Sequence, residues 1–231
     1  MPADLTIAIG DIHGCREMLD SLLERCFRYA GERPLRLVFL GDYIDRGPDS
    51  RGAIETLIDL QQSLPGRVVC LRGNHEVLLL DALAKDDMGL WLFNGADTTL
   101  ASYGVDHVAA LPPDHLVWLA ALKTSFDDGR RFFVHAGVDP DRPLDNQTEH
   151  DLVWMREPFL STRRDYGRLI VHGHTPQRTG KPDLRTWRLN LDTAAVYGGR
   201  LTAAVFDDIN AGPIAFLTDQ GDAQPVRSPA P

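Results

Sequence analysis

No run of apolar residues in this 231-residue chain approaches the roughly 20 needed to cross a bilayer. The residues ahead of Leu5 have neither the basic start nor the apolar stretch of a secretory leader. Cysteine is scarce: Cys15, Cys26 and Cys70 are odd in number and show no Cys-x-x-Cys spacing, which leaves no disulfide framework. Each reads as a small buried residue, and a reducing cytoplasm is the expected compartment. Excess positive charge is also missing. With a formal net charge of -9, nucleic acid and anionic membrane are not expected as general partners, although a local pocket can still be basic. Neither an internal repeat nor a linker divides the chain. A single domain over residues 1–220 is expected, followed by a disordered, proline-rich tail at 221–231.

What the chain does have is a repeated local arrangement. The apolar run Leu37-Val38-Phe39-Leu40 reads as a buried parallel strand and leads directly into Gly41-Asp42-Tyr43-Ile44-Asp45-Arg46-Gly47. Two carboxylates and a guanidinium therefore emerge at the carboxyl end of a strand, the edge where open α/β sheets hold ligands. Four more short strands end the same way, in metal-type ligands beside a glycine. Leu5 to Ile9 leads into Asp11-Ile12-His13-Gly14, and Val68 to Leu71 into Gly73-Asn74-His75-Glu76. Arg131 to Val134 leads into His135-Ala136-Gly137, and Leu169 to Val171 into His172-Gly173-His174-Thr175. If these strands share sheets, their ligands converge on one edge.

Between the first three strands, apolar residues recur at helical spacing: Met18, Leu19, Leu22, Leu23, Cys26 and Phe27, then Ile54, Leu57, Ile58 and Leu60. Strand, helix, strand, helix, strand with right-handed crossovers predicts a parallel sheet over residues 5–71.

Gly10-Asp11-Ile12-His13-Gly14, Gly41 to Gly47 and Gly73-Asn74-His75-Glu76, in this order and spacing, resemble the three signature blocks of the phosphoprotein phosphatase family, within the calcineurin-like metallophosphoesterases. The two later histidine blocks fit the same pattern, and the resemblance covers roughly residues 4–207. It implies an α/β fold, in part α+β: a four-layer α/β/β/α sandwich of two mixed β-sheets flanked by helices, with a helical cap segment.

The resemblance also implies two divalent cations. Asp11 and His13 match the ligands of one, Asp42 the bridge, and Asn74, His135 and His174 the ligands of the other. Carboxylate, amide and imidazole donors without a thiolate suit manganese best, with iron and zinc as alternatives. A bridging hydroxide would attack phosphorus in line. By the same resemblance His75 protonates the leaving group, Asp45 orients its ring, and Arg46 binds the phosphate oxygens, with Arg156, in its Trp-x-Arg setting, as a second clamp. His172 is expected to face the same side as His174 and support the ligands from behind, with direct ligation as the alternative. Asp192 and Tyr197 lie in a stretch that resembles a family loop near the active site.

Residues 77–122 read as mostly helical, the cap of bacterial family members, with Trp91 and Phe93 expected to serve core packing. His107, His115 and His150 are expected at the surface or at helix caps. Trp187 to Leu191, Leu201 to Phe206 and Pro213 to Thr218 read as antiparallel strands of the second sheet. The expected activity is metal-dependent phosphomonoester hydrolysis, on phosphoserine or phosphothreonine in proteins. The alternative is a symmetrical diadenosine tetraphosphatase, which tends to carry Asp where this chain has Glu76. A non-catalytic metal-binding scaffold is the reading from a different class, opposed by the presence of Asp45 and His75. Neither nucleic acid, membrane nor a regulatory subunit is implied as a partner.

Overall fold

The apolar residues after position 4 form β1 (Leu5–Ile9), buried on both faces. Ile7 and Ile9 point to one side of the strand and Ala8 to the other, because successive side chains alternate. The computed structural model describes residues 4–221 and 223–226. Helix α1 (Arg16–Ala30) returns across the sheet on Leu19, Leu22, Leu23 and Cys26, which share one face. Next come β2 (Leu35–Phe39), α2 (Ser50–Ser63), β3 (Val68–Cys70) and α3 (Asn74–Lys85). The side chain of Asp49 caps α2 by accepting from the Gly52 N–H at 2.8 Å. The pairs β1–β2 and β2–β3 are parallel, as the alternating pattern predicts.

The segment after α3 is helical: α4 (Gly89–Phe93), α5 (Ala96–Tyr103) and α6 (Pro113–Ala120). A second sheet follows, built from β4 (Ser125–Asp127), β5 (Arg131–Val134), β6 (Leu169–His172), β7 (Asp183–Leu184) and β8 (Arg188–Asn190), with α7 (Glu149–Trp154) inserted. Its order is β4-β5-β6-β8-β7, with β5, β6 and β8 parallel and both edge strands antiparallel.

Two expectations about the last third are corrected. Strand β8 pairs parallel with β6. Strands β9 (Thr202–Phe206) and β10 (Ala215–Thr218) return to the first sheet, where β9 lies antiparallel beside β1 and β10 beside β9. Every residue of β9 is buried, and Ala203 and Ala204 give a central strand little bulk on either face. A final strand, β11 (Gln224–Pro225), pairs with β10 inside the stretch expected to be disordered; residues 222 and 227–231 of that expectation lie outside the described residues.

Val38, Leu71, Phe133, Val171, Leu189 and Phe206 fill the space between the two sheets. The helices α1 to α3 and the cap cover the outer face of the first sheet, and α7 covers the second, through Leu152 and Val153 against Phe132, Val134 and Ile170. These are the four expected layers. Among the described residues no helix is long and apolar enough to cross a membrane. Cys15, Cys26 and Cys70 are buried free thiols.

Candidate active site

The strand-end blocks meet at one edge. The His135 Nδ1 lies 3.0 Å from the Leu40 carbonyl, and the His174 N–H donates to Asp11 at 3.0 Å, so the two sheets are joined there by the site residues themselves. His13, Asp42, Asp45, Arg46 and His174 all sit at positive φ, between 45° and 72°. Left-handed backbone costs a residue with a Cβ on the order of 1–3 kcal/mol and persists only where the surroundings enforce it. Here the enforcement is visible. The N–H groups of Ile12 and His13 both donate to the Asp42 carbonyl, at 3.0 and 2.8 Å. The Glu76 carboxylate accepts from the N–H groups of Asp42, Tyr43 and Gly73 at 2.8–2.9 Å, clipping the turn after β2 to the turn after β3. A Cβ on Gly73 would lie 2.2 Å from Asp42 Oδ1, so only glycine permits this approach.

Burial, then the charge of Asp42, push Glu76 up to about 7, against the pull of these N–H groups. Glu76 is fully buried and both its oxygens are committed to backbone. Glu76 therefore holds the loops in place and does not itself reach a substrate.

Two sets of ligand atoms lie within 4.8 Å of one another: His13, Asp42 and His75, and Asp42, His135 and His174. Asp42 is common to both. Asp11 is in neither set; its carboxylate accepts from the His174 N–H, and burial, then Asp192, raise it well above the usual carboxylate range. Asn74 Oδ1 lies 3.0 Å from His135 Nε2 and 2.8 Å from His174 Nδ1.

The tethers on the histidines bear on whether a cation fits. The Nδ1 atoms of His13 and His135 face the carbonyls of Ile44 and Leu40, which only accept, so each Nδ1 carries the proton. In the neutral rings each Nε2 then presents a lone pair. His135 Nε2 points it at Asp42 Oδ2 (3.3 Å) and Asn74 Oδ1 (3.0 Å), two further acceptors. Such a convergence is stable only around positive charge. Although burial opposes it, Asp42 pushes His135 up to about 9. Arg46 supplies the charge on the other side, with Nη1 2.9 Å from His13 Nε2. Oxygen and imidazole donors around a shared carboxylate fit a pair of divalent cations without thiolate ligands.

Beside this cluster lies a dyad. His75 Nδ1 is 2.6 Å from Asp45 Oδ2, and His75 Nε2 is buried with no hydrogen-bond partner among the described residues. Burial raises Asp45, and its bond to His75 opposes the rise. Asp45 is held from the cap: Trp91 Nε1 donates to both its oxygens at 2.9 and 3.1 Å, and the Thr99 hydroxyl donates at 2.7 Å. Trp91 thus does more than the core packing expected of it, although its ring is 1% exposed. The usable signal was chemical, since a buried indole N–H needs an acceptor. Phe93, also expected in the core, is 87% exposed.

The remaining expectations divide. Arg156 is exposed and close enough for its charge to add to the depression of His174, which burial, then His135, push down to about 2. His172 belongs to neither ligand set. It is fully buried against the Phe159 ring, 5.1 Å between centroids, because the left-handed turn at His174 breaks the alternation that would have put both rings on one side. His107 caps a short 3-10 helix by accepting from the Ala109 N–H, as expected. His115 is buried and bonded to the Tyr103 hydroxyl at 2.7 Å, where a surface position was expected. Asp192 is buried, and that burial raises it to about 6.

Comparison with known proteins agrees with this geometry. The family described as calcineurin-like phosphoesterase matches residues 5–201. A serine/threonine-protein phosphatase 1 of Salmonella typhimurium strain LT2 is 34% identical over 208 residues, covering 85% of this chain and 89% of the relative. The asymmetrical bis(5'-nucleosyl)-tetraphosphatase PrpE of Anoxybacillus flavithermus strain WK1 is 31% identical over 230 residues, covering 87% and 90%. A crystal structure assigned provisionally as a diadenosine tetraphosphatase superposes with a TM-score of 0.71 at 27% identity, covering 94% of each chain.

Proposed function

The chain belongs to the calcineurin-like phosphoesterase family, and from that premise we propose that it is a metal-dependent phosphatase acting on phosphoserine and phosphothreonine in proteins. The observation that carries the chemistry is the buried Asp45–His75 pair, whose free Nε2 lies beside the shared-carboxylate cluster. Asp11, His13 and Asp42 would hold one cation, and Asp42, Asn74, His135 and His174 the other, with manganese the best match to these donors. Two such cations, when bound, supply a hydroxide at neutral pH and draw charge from the phosphoryl oxygens during in-line displacement.

The chain's own residues do the rest. Arg46 and Arg156 hold the phosphate oxygens, Arg46 as a planar fork that can contact two at once. Protonation of the departing oxygen falls to His75 Nε2. Asp45 accepts from the His75 Nδ1 and fixes the orientation of the ring, while Trp91 and Thr99 stop the carboxylate from turning away.

Protein substrates are favoured by the 34% identical relative, named for that activity. A second reading, hydrolysis of dinucleoside polyphosphates, is favoured by the PrpE relatives, whose coverage is as full. One assay separates them: turnover of a phosphoserine peptide and of diadenosine tetraphosphate, under the same manganese concentration. The expected result is a higher kcat/KM on the peptide, and preference for the dinucleotide overturns the protein assignment.

The second arginine is tested separately. Loss of one preorganised donor to the reacting group costs about 10²-fold or more in turnover, so Arg156→Ala should fall by at least that on every substrate. Wild-type kinetics would return Arg156 to the solvated surface.

A further inference from the structure

A second concave feature lies at the far end of the second sheet from the metal cluster. It is a groove of about 970 Å³ at the starting ends of β5, β6 and β8, where Arg130, Arg168 and Trp187 immediately precede the three strands. The strands are parallel, so their other ends lead together into His135, His174 and Asp192. Strands of four residues, as β5 and β6 are, hold those two ends about 13 Å apart at ~3.3 Å per residue. None of the candidate site residues lines the groove.

Its floor is apolar. Leu169 and Leu184 pack into the layer between the two sheets, so the groove meets one end of that core. Its rim is cationic in a chain of net charge -9: Arg130, Arg163, Arg164, Arg168 and Arg185 line it, against one acid, Asp165. Arg168 is answered by Asp127 at 3.0 Å. Arg185 is answered by Asp183 at 2.8 Å, but the same carboxylate also serves Arg188 at 2.8 Å. Arg164 donates to the Pro140 carbonyl, which carries no net charge. The side chains of Arg130 and Arg163 are exposed, and neither makes a hydrogen bond or ion pair among the described residues. Like charges gathered in this way repel, and an anion between them relieves the repulsion.

Trp187 makes the groove more selective than a patch of charge. The Arg163 guanidinium carbon lies 6.0 Å from the centre of the Trp187 ring. Carbon atoms in contact stand about 3.5–4 Å apart, so the guanidinium does not close on the ring. A small swing of the exposed Arg163 side chain admits a planar group, stacked by the indole on one side and by the guanidinium on the other. Arg130 and Arg164 stand on the same rim for whatever charge that group carries. An apolar floor, an aromatic face and unanswered guanidinium groups together match an anion with a flat ring at one end and phosphates at the other.

We infer that this groove is a nucleotide site separate from the reaction centre, taking a nucleoside diphosphate with its base between Trp187 and Arg163 and its phosphates on Arg130 and Arg164. The inference is independent of hydrolysis at the metal cluster and of both substrate readings.

The test uses the metal-loaded full-length protein and adenosine 5'-(α,β-methylene)diphosphate, whose bridging carbon prevents cleavage between the phosphorus atoms. Arg46→Ala serves as the background, because it weakens binding at the reaction centre. At matched free manganese, calorimetry on that variant should show one molecule bound. Adding Arg130→Ala should weaken binding about tenfold, the equivalent of one charge-assisted contact of ordinary strength, and Arg130→Lys should restore most of it. Binding should quench the intrinsic fluorescence, and Trp187→Phe should remove the quench while leaving a ring on which the base still stacks. Arg130→Ala alone should keep wild-type kinetics on p-nitrophenyl phosphate and a wild-type circular dichroism spectrum. No binding in Arg46→Ala overturns the site, as does undiminished affinity after Arg130→Ala or a quench that survives Trp187→Phe. Methylenediphosphonate, which keeps the charge and lacks the base, should bind more weakly. Equal affinity for it overturns the nucleotide assignment, and so does displacement of the nucleotide by a lower concentration of an acidic, tyrosine-containing peptide.

Discussion

Asp42→Asn is expected to reduce phosphoester hydrolysis by at least about 10³-fold while the protein stays folded. Asp42 is the only residue common to both ligand sets, and its Oδ2 lies 3.5 Å from His13 Nε2 and 3.3 Å from His135 Nε2. Loss of a single preorganised donor typically costs 10²–10³-fold; loss of a shared anionic ligand affects both cations and should exceed that. Asparagine has nearly the same shape, and its Oδ1 can still accept from the His75 N–H, a bond of 3.0 Å in the present structure. Loss of activity should therefore come with a fall in bound metal and little change in the circular dichroism spectrum. Chelated wild-type protein should be equally inactive and recover with manganese. Undiminished turnover in Asp42→Asn, or in metal-free wild type, would rule out a binuclear reaction centre.

His75→Asn makes a more selective demand. A serine alkoxide must be protonated as it departs, whereas p-nitrophenolate is stable enough to leave unaided. General acid catalysis contributes about 10² to 10⁴-fold, so the variant should lose that much on a phosphoserine peptide and far less on p-nitrophenyl phosphate. Asp45 retains its bonds from Trp91 and Thr99 in this variant, so the cap should hold its place. Asp45→Asn should show the same substrate pattern more weakly, since it loosens the orientation of the imidazole without removing it. Equal losses on both substrates, at unchanged metal content, would mean that His75 holds the nucleophile or the phosphate.

The fold up to β3 was legible because each element announces itself locally: apolar runs of three to five residues, then helical spacing, then glycine-flanked ligands. The placement of the candidate ligands was legible for the same reason, as polar groups stranded at strand ends. Sheet membership was not. A strand such as Thr202–Phe206 shows in its sequence that both faces are buried, but nothing in it names β1 as the partner across a long loop. Trp91, His115 and Glu76 share a different difficulty. The partners that define their roles are remote: Trp91 donates to an acceptor 46 residues back, His115 bonds a hydroxyl 12 residues back, and Glu76 reaches the Asp42 N–H 34 residues back as well as the nearby Gly73 N–H. His172 was misplaced by assuming an extended backbone through a residue whose φ is +66°.

The five positive-φ residues around the cluster bear on how portable the centre is. Residues 41–47 in isolation would relax, since no local preference favours a left-handed Asp42, Asp45 and Arg46 in so short a span. Their shape is imposed from outside, by Glu76 reaching back from the start of α3 and by the backbone bonds that join the turns after β1 and β2. A graft into another scaffold would therefore have to move the turns after β1, β2 and β3 together, at their present strand spacing, with the glutamate included. A loop transplanted alone would keep its ligands in sequence and lose them in space.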